Sequence, residues 1–262
     1  MNSINKMVPL NQKALPLAAL FAALLLGVPA VGAADYPSTV LADHPIAYYR
    51  MEETSGTTVN DSSASGQFPA TYNPSTDGMY PKLGQPGIDT NSIQLSTASA
   101  NSTSFAYAGY YPEFNEQAPF SFEIWARPAS LDSANYRCPV GNFSGWATPT
   151  QSGWYVYQTP GSPSTFAFIM AGSSVWIAYS GVTPANWFYL VGTYDGTNAS
   201  FYVNGQLVGT QNAAGYEANS VNNPYNYSLG IGERGDISQF FDGNLDEFAY
   251  YTNVLTATQV LT

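Results

Sequence analysis

The sequence predicts an all-β protein, a two-sheet antiparallel β-sandwich of jelly-roll type, and three observations carry that expectation. The stretch Trp187–Thr210, WFYLVGTYDGTNASFYVNGQLVGT, reads as three consecutive strands with two tight reversals. Aromatic and β-branched residues suit a half-buried pleated surface, and Asp195-Gly196 and Asn204-Gly205 supply the positive φ that short reversals need. Phe120–Arg127, FSFEIWAR, alternates with a period of two, so Phe120, Phe122 and Ile124 face one way and Glu123, Trp125 and Arg127 the other. After residue 34 no stretch keeps a helical apolar period for ten residues.

In chain order, Met1–Ala33 stands apart from the fold. Lys6 and Lys13 precede an apolar run, Ala14–Val31, and small residues around Gly32-Ala33 offer a cleavage site. This pattern predicts a secretory signal peptide and a secreted or cell-surface protein, extracellular or periplasmic. An uncleaved anchor is the competing reading; against it, the run is short and carries Pro16, Gly27 and Pro29. Residues 34–262 are then expected to form one domain, since a single all-β sandwich readily reaches that size.

Ala47–Met51 reads as the first strand, followed by a polar, turn-rich loop through Glu52, Glu53, Asp61 and Gly66. Phe68–Gly87 is rich in Pro and Gly and reads mostly as loop. Strands are expected at Ser92–Ser96, Phe105–Tyr107, Phe120–Arg127, Trp154–Gln158, Thr165–Met170 and Val175–Tyr179, ahead of the three in the meander. An Asn- and Tyr-rich loop, Gly215–Tyr227, separates these from strands at Ser228–Gly232 and Gly243–Tyr251. Leu255–Leu261 suits one helical turn with Thr256 as its cap.

The balance of charges limits the partners. The chain carries a formal net charge of −11, and its leader holds two of its seven Lys and Arg. Nucleic acid and anionic membrane surfaces are therefore poor partners, and no membrane insertion is expected once the signal is removed. Cys138 is the single cysteine, so no internal disulfide forms, and a buried thiol is expected. One histidine, His44, excludes His-rich zinc sites, and nothing near it suggests a nucleophilic triad.

Four segments together resemble a known family. AYYRMEETSGTTVNDSSASG, FSFEIWARP, WFYLVGTYDGTNASFYVNGQLVG and IGERGDISQFFDGNLDEFAYYTNVLTATQV are similar, in order, to the LamG-like jelly-roll domains of the concanavalin A-like lectin/glucanase superfamily. The match covers most of Ala42–Val260, with a small departure at Ala64-Ser65-Gly66. The resemblance implies a concanavalin A-like jelly roll, with Trp125 and Trp187 at core positions. It also implies one structural calcium, for which Asp61 and Asp246 are the matching positions. The competing reading has Asp61 capping a turn through its side chain and Asp246 as a solvated acid.

Some members of that superfamily are glycoside hydrolases, which need two carboxylates flanking the scissile bond, about 5–5.5 Å apart for retention. No strand here offers an alternating acid pattern of that kind. Asp246 and Glu247 should point to opposite faces, and Glu123 pairs most simply with Arg127 two residues beyond Trp125. The chain is therefore read as non-catalytic. Exposed rings suit stacking on sugars, and Trp146, Trp154 and Trp176 are the tryptophan candidates. Arg234-Gly235-Asp236 is a tripeptide that recurs by chance and is given no role. The expected function is a secreted, non-catalytic module that recognises carbohydrate or another extracellular protein ligand. A glycoside hydrolase or lyase, and a structural adhesion module of a larger surface protein, are the alternatives.

Overall fold

The computed structural model describes residues 35–97, 103–114, 117–131, 134–144, 151–161, 163–219 and 227–261. The proposed leader and Trp146 lie outside them. A helix α1 (Tyr36–Ala42) is followed by β1 (Ala47–Tyr49), β2 (Thr58–Val59), β3 (Ala70–Asn73), β4 (Lys82–Pro86) and β5 (Asn91–Leu95). Next come β6 (Phe105–Gly109), a 3-10 turn at Pro112–Phe114, β7 (Phe120–Pro128), β8 (Arg137–Gly141), β9 (Trp154–Gln158), β10 (Ser164–Met170) and β11 (Trp176–Val182). The chain closes with β12 (Phe188–Tyr194), β13 (Asn198–Val203), β14 (Gln206–Asn212), β15 (Tyr227–Ile231), β16 (Gly243–Tyr251) and α2 (Ala257–Val260).

These strands form two antiparallel sheets of eight. One runs β14-β13-β12-β7-β16-β5-β4, with β1 also paired to β16; the other runs β11-β10-β9-β8-β15-β6-β3-β2. The meander expected at Trp187–Thr210 is β12–β13–β14, with Leu190 opposite Val203 and Phe201 opposite Gly209. Its second reversal has Asn204 at φ 50 and Gly205 at φ 76, the pair of positive values that lets a two-residue turn follow the strand twist.

Phe68–Gly87, expected to be mostly loop, contains β3 and β4. Ala70 and Tyr72 alternate inward there, but the run is too short for its period to show. β8 also went unseen, because Pro139 sits inside it; the ladder with β9 is irregular at that point, between Arg137 and Val140. Helix α1 has only seven residues, capped by Asp35, whose carboxylate accepts from Ser38 N at 2.9 Å. α2 carries the cap expected at Thr256, as a full capping box with Gln259.

Between the sheets lies one aromatic-rich core. Trp154 of β9 stacks on Phe122 of β7 with centroids 4.1 Å apart and planes within 7°, and Phe120, Phe168 and Tyr250 pack around them. The first sheet's outer face is covered in part by the two helices: Val40, Leu255 and Val260 pack on Tyr48, Tyr189, Val191 and Tyr251. Gln259 Nε2 donates to Asp43 Oδ1 at 2.8 Å, tying the α2 turn to the end of α1.

On the second sheet's outer face Cys138 is buried with Phe143, Tyr155, Tyr157 and Ile169. The Arg234-Gly235-Asp236 tripeptide packs against this cluster. Arg234 donates to both carboxylate oxygens of Asp236, at 3.1 and 2.6 Å, and to Tyr157 Oη at 2.7 Å, and its guanidinium lies 4.5 Å from the Phe143 ring centre. With Arg234 and Asp236 only 6% and 7% exposed, the tripeptide is structural and offers no free charged ends.

Candidate binding pocket and acidic cluster

The first sheet's outer face holds a pocket of about 450 Å³ lined by Tyr36, Trp125, Trp187, Tyr189, Asn204, Gly205, Val260 and Leu261. Strand alternation builds its wall. Ile124 points into the core, so Trp125 points out, and the register of β7 with β12 sets Tyr189 directly across from it. The two rings stack at 5.1 Å and 26°, and Tyr36 of α1 meets both edge-on, at 6.1 and 6.5 Å. Trp187 precedes β12, and the Asn204-Gly205 reversal completes the rim. Trp125 and Trp187, expected in the core, are instead half-buried side chains of this pocket.

Asn204 is held rigidly. Tyr189 N donates to its Oδ1 at 2.9 Å, and Asn204 N donates to Tyr189 O at 2.8 Å. The amide oxygen is oriented by that bond, and the Nδ2 hydrogens are its donors. No Asp or Glu is among the residues lining the pocket.

Glu123 lies beneath this wall, fully enclosed. Tyr251 Oη donates to its Oε1 at 2.8 Å, and the Tyr189 hydroxyl donates to its Oε2. Burial raises its pKa to about 7, against the lowering pull of those two tyrosines. The expected pairing with Arg127 does not occur, since Arg127 Nε donates instead to Ala185 O at 2.9 Å.

A second constellation forms where β16 changes neighbours. Its first half pairs with β5, with Leu245 opposite Ile93, and its second half with β1, with Phe248 opposite Tyr49. At the handover β16 bulges: its register with β7 shifts between Asp246 and Ala249, and Glu247 takes φ 50. Leu245 and Phe248 both reach the core, three residues apart, so Asp246 and Glu247 both leave it. They do not point to opposite faces, as simple alternation predicts.

Into the gap between β1 and β5 come Arg50 and Glu52, just after one strand, and Asp89, just before the other. Glu52, Asp89 and Glu247 bring carboxylate oxygens within 4.8 Å of one another. Arg50 sits among them, with Nη2 2.5 Å from Asp89 Oδ2 and 3.5 Å from Glu52 Oε1, and Nε 3.5 Å from Glu247 Oε1. The Tyr48 hydroxyl donates to Glu247 Oε2. Asp246 is fully buried, with Oδ2 accepting from Ile88 N at 2.7 Å; burial raises its pKa to about 8. Asp246 Oδ1 and Glu247 Oε1 are buried without a hydrogen-bond donor.

These oxygens suit a hard cation, which takes carboxylate and carbonyl ligands. Of the two positions the resemblance implied, Asp246 adjoins the cluster and is not a solvated acid. Asp61 accepts three backbone amides, from Tyr48 and Ser63 on Oδ1 and from Phe68 on Oδ2, at 2.9–3.0 Å, which is the loop-capping arrangement. Among the tryptophan candidates, Trp154 is 0% exposed between the sheets and has no face to offer a ligand. Trp176 is 46% exposed on the edge strand β11, where the Gln211 amide accepts from its N–H and donates to its carbonyl.

Comparison with known proteins bears on the fold. A family model described as the Concanavalin A-like lectin/glucanases superfamily matches residues 89–261, a span that holds the pocket strands and begins at Asp89. No curated protein matches the chain in sequence. Among solved structures, domain 4 of AbnA, a GH43 extracellular arabinanase from Geobacillus stearothermophilus in complex with arabinotriose, superposes with a TM-score of 0.52 at 19% identity; the match covers 82% of this chain and 95% of that one. The botulinum neurotoxin serotype G binding domain gives 0.56 at 19%, covering 83% of this chain and 50% of that one. A Trypanosoma rangeli sialidase gives 0.55 at 11%, covering 83% and 32%. At these identities the likeness is one of fold.

Proposed function

Since the chain belongs to the Concanavalin A-like lectin/glucanases superfamily, we propose that it is a non-catalytic carbohydrate-binding module whose site is the aromatic pocket. The observation that carries this reading is the make-up of the pocket: two tryptophans and two tyrosines, one locked amide and no carboxylate. Glycoside hydrolysis by the usual route needs two acids at the sugar. Stacking on a sugar needs ring faces and a few oriented polar groups, which this lining supplies. An arabinanase domain of matching length and fold, solved with arabinotriose, supports the same reading.

In this proposal Met1–Ala33 is removed on export and residues 34–262 act outside the cytoplasm. Calcium, the ion implied by the family, would be held by Glu52, Asp89 and Glu247 with Asp246 behind them. It would neutralise their charge and clip the end of β1 and the start of β5 to β16, while Asp61 remains a loop cap.

A glycan array probed with the wild type and with Trp187→Ala tests the reading. Binding to a subset of glycans, lost in the variant and without release of reducing ends, is the expected result. Reducing-end release from a bound polysaccharide would replace it with the hydrolase reading.

A further inference from the structure

We infer that the pocket selects neutral glycans over uronic-acid chains, with Asn204 as a hydrogen-bond donor to the bound sugar; the inference rests on the carbohydrate-binding reading of the same pocket. The lining offers N–H donors. Asn204 Oδ1 accepts from Tyr189 N, which orients the amide, and its Nδ2 hydrogens are there to donate. Trp187 carries an indole N–H, which only donates. The Tyr189 hydroxyl is committed to Glu123. The ring, glycosidic and hydroxyl oxygens of a sugar can accept from these N–H groups.

A carboxylate is also an acceptor, but it brings a charge that nothing at the pocket balances. No Lys, Arg or His lines it. Along the span 176–212, which supplies β11 to β14, Asp195 is the single charged residue. The chain as a whole carries a formal charge of −11. A uronate buried against the rings would lose its hydration without a cation in exchange and would meet a negative surrounding potential. A neutral ring loses little on entering and keeps the stacking and the donors. Discrimination of this sort comes from what the site withholds as much as from what it offers.

The experiment uses one array carrying neutral oligosaccharides (arabinan, xylan, cellulose and galactan fragments) beside oligogalacturonate and alginate, followed by calorimetry on the best hit. The variants are Trp187→Ala and Asn204→Asp. Aspartate tolerates the positive φ of this turn and still accepts from Tyr189 N, while it replaces the amide donor with an anionic acceptor. Neutral hits abolished by Trp187→Ala, no uronate hits, and at least ~10-fold weaker binding by Asn204→Asp at an unchanged melting temperature are expected. Uronates captured as well as neutral glycans, with both lost in Trp187→Ala, would overturn the selectivity and leave the binding reading standing. An Asn204→Asp variant that binds like wild type would remove Asn204 from its role. Glycan hits that survive Trp187→Ala, or none at all, would sink the pocket reading itself.

Discussion

The aromatic pocket and the acidic cluster occupy the same sheet, and they are opposites in chemistry. The pocket has four rings and no acid; the cluster has Glu52, Asp89, Asp246 and Glu247 around the single guanidinium of Arg50. The pocket arises from regular alternation, with Trp125 and Tyr189 paired across β7 and β12. The cluster arises from a break in alternation, at the bulge where β16 exchanges β5 for β1. The contrast teaches that a regular ladder here builds a ring-lined, uncharged surface, while an irregular one gathers charge that must be balanced. The pocket is complete without a counter-ion. The cluster depends on Arg50, which pairs with Glu247 Oε1, while Asp246 Oδ1 is buried without a hydrogen-bond donor.

The largest expected effect comes from removing the balancing charge. Arg50→Gln strands three carboxylates at the strand handover and should cost about 3 kcal/mol, at the low end for a broken buried pair because Arg50 retains some exposure. Urea melts measure this. Millimolar calcium should restore part of the loss, since a divalent ion on the three carboxylates supplies positive charge that the guanidinium no longer does. Glycan binding by the pocket should not change. A variant as stable as wild type, or one that loses the ligand too, would break the division between the two sites.

The sandwich was readable because its signals are local. Asn204-Gly205, Asp195-Gly196 and the alternation of Phe120–Arg127 each act within a few residues, and each appears in the structure where expected. The site was only half readable. Alternation alone placed Trp125 on the outer face with Glu123; likeness to family core positions argued otherwise, and the outer face is where the ring lies. Asp246 and Glu247 defeated alternation because a bulge depends on which strands flank β16, and no adjacent residue announces that. Asp89 and Arg50 lie 39 positions apart, and only the split pairing of β16 brings them together. Glu123 found tyrosines rather than Arg127 because Tyr251 and Tyr189 come from two neighbouring strands far off in sequence.

A further effect, a fall in stability, should appear with rising pH. Burial raises Glu123 to about 7 and Glu233, enclosed on the other sheet, to about 8. In both cases the folded state holds a proton that the unfolded chain has released above about pH 4.5. Their contribution is therefore complete below that pH and is lost as pH rises through 7 and 8. Stability measured by urea melts should fall from pH 5 to pH 8.5, and Glu123→Gln should flatten the lower part of that fall. A rise in stability across the window would contradict the enclosed, protonated state of these acids. The test also sharpens the comparison, because Glu123 underlies the pocket and not the cluster.

The smallest stability effect should come from the residue with the largest effect on binding. Trp187 is half-buried at the pocket rim and takes no part in the inter-sheet core. Its ring lacks the enclosure that makes a buried tryptophan costly to truncate, so Trp187→Ala should change stability by less than about 1 kcal/mol. The same change should weaken the glycan found on the array at least ~10-fold, because a stacking face is lost at the one place where the ligand sits. Denaturant melts and calorimetry on the same preparation separate the two quantities. If Trp187→Ala unfolds the domain instead, the ring is a structural element after all, and the partition between a ligand-facing pocket and a load of charge at the β16 bulge has been drawn in the wrong place.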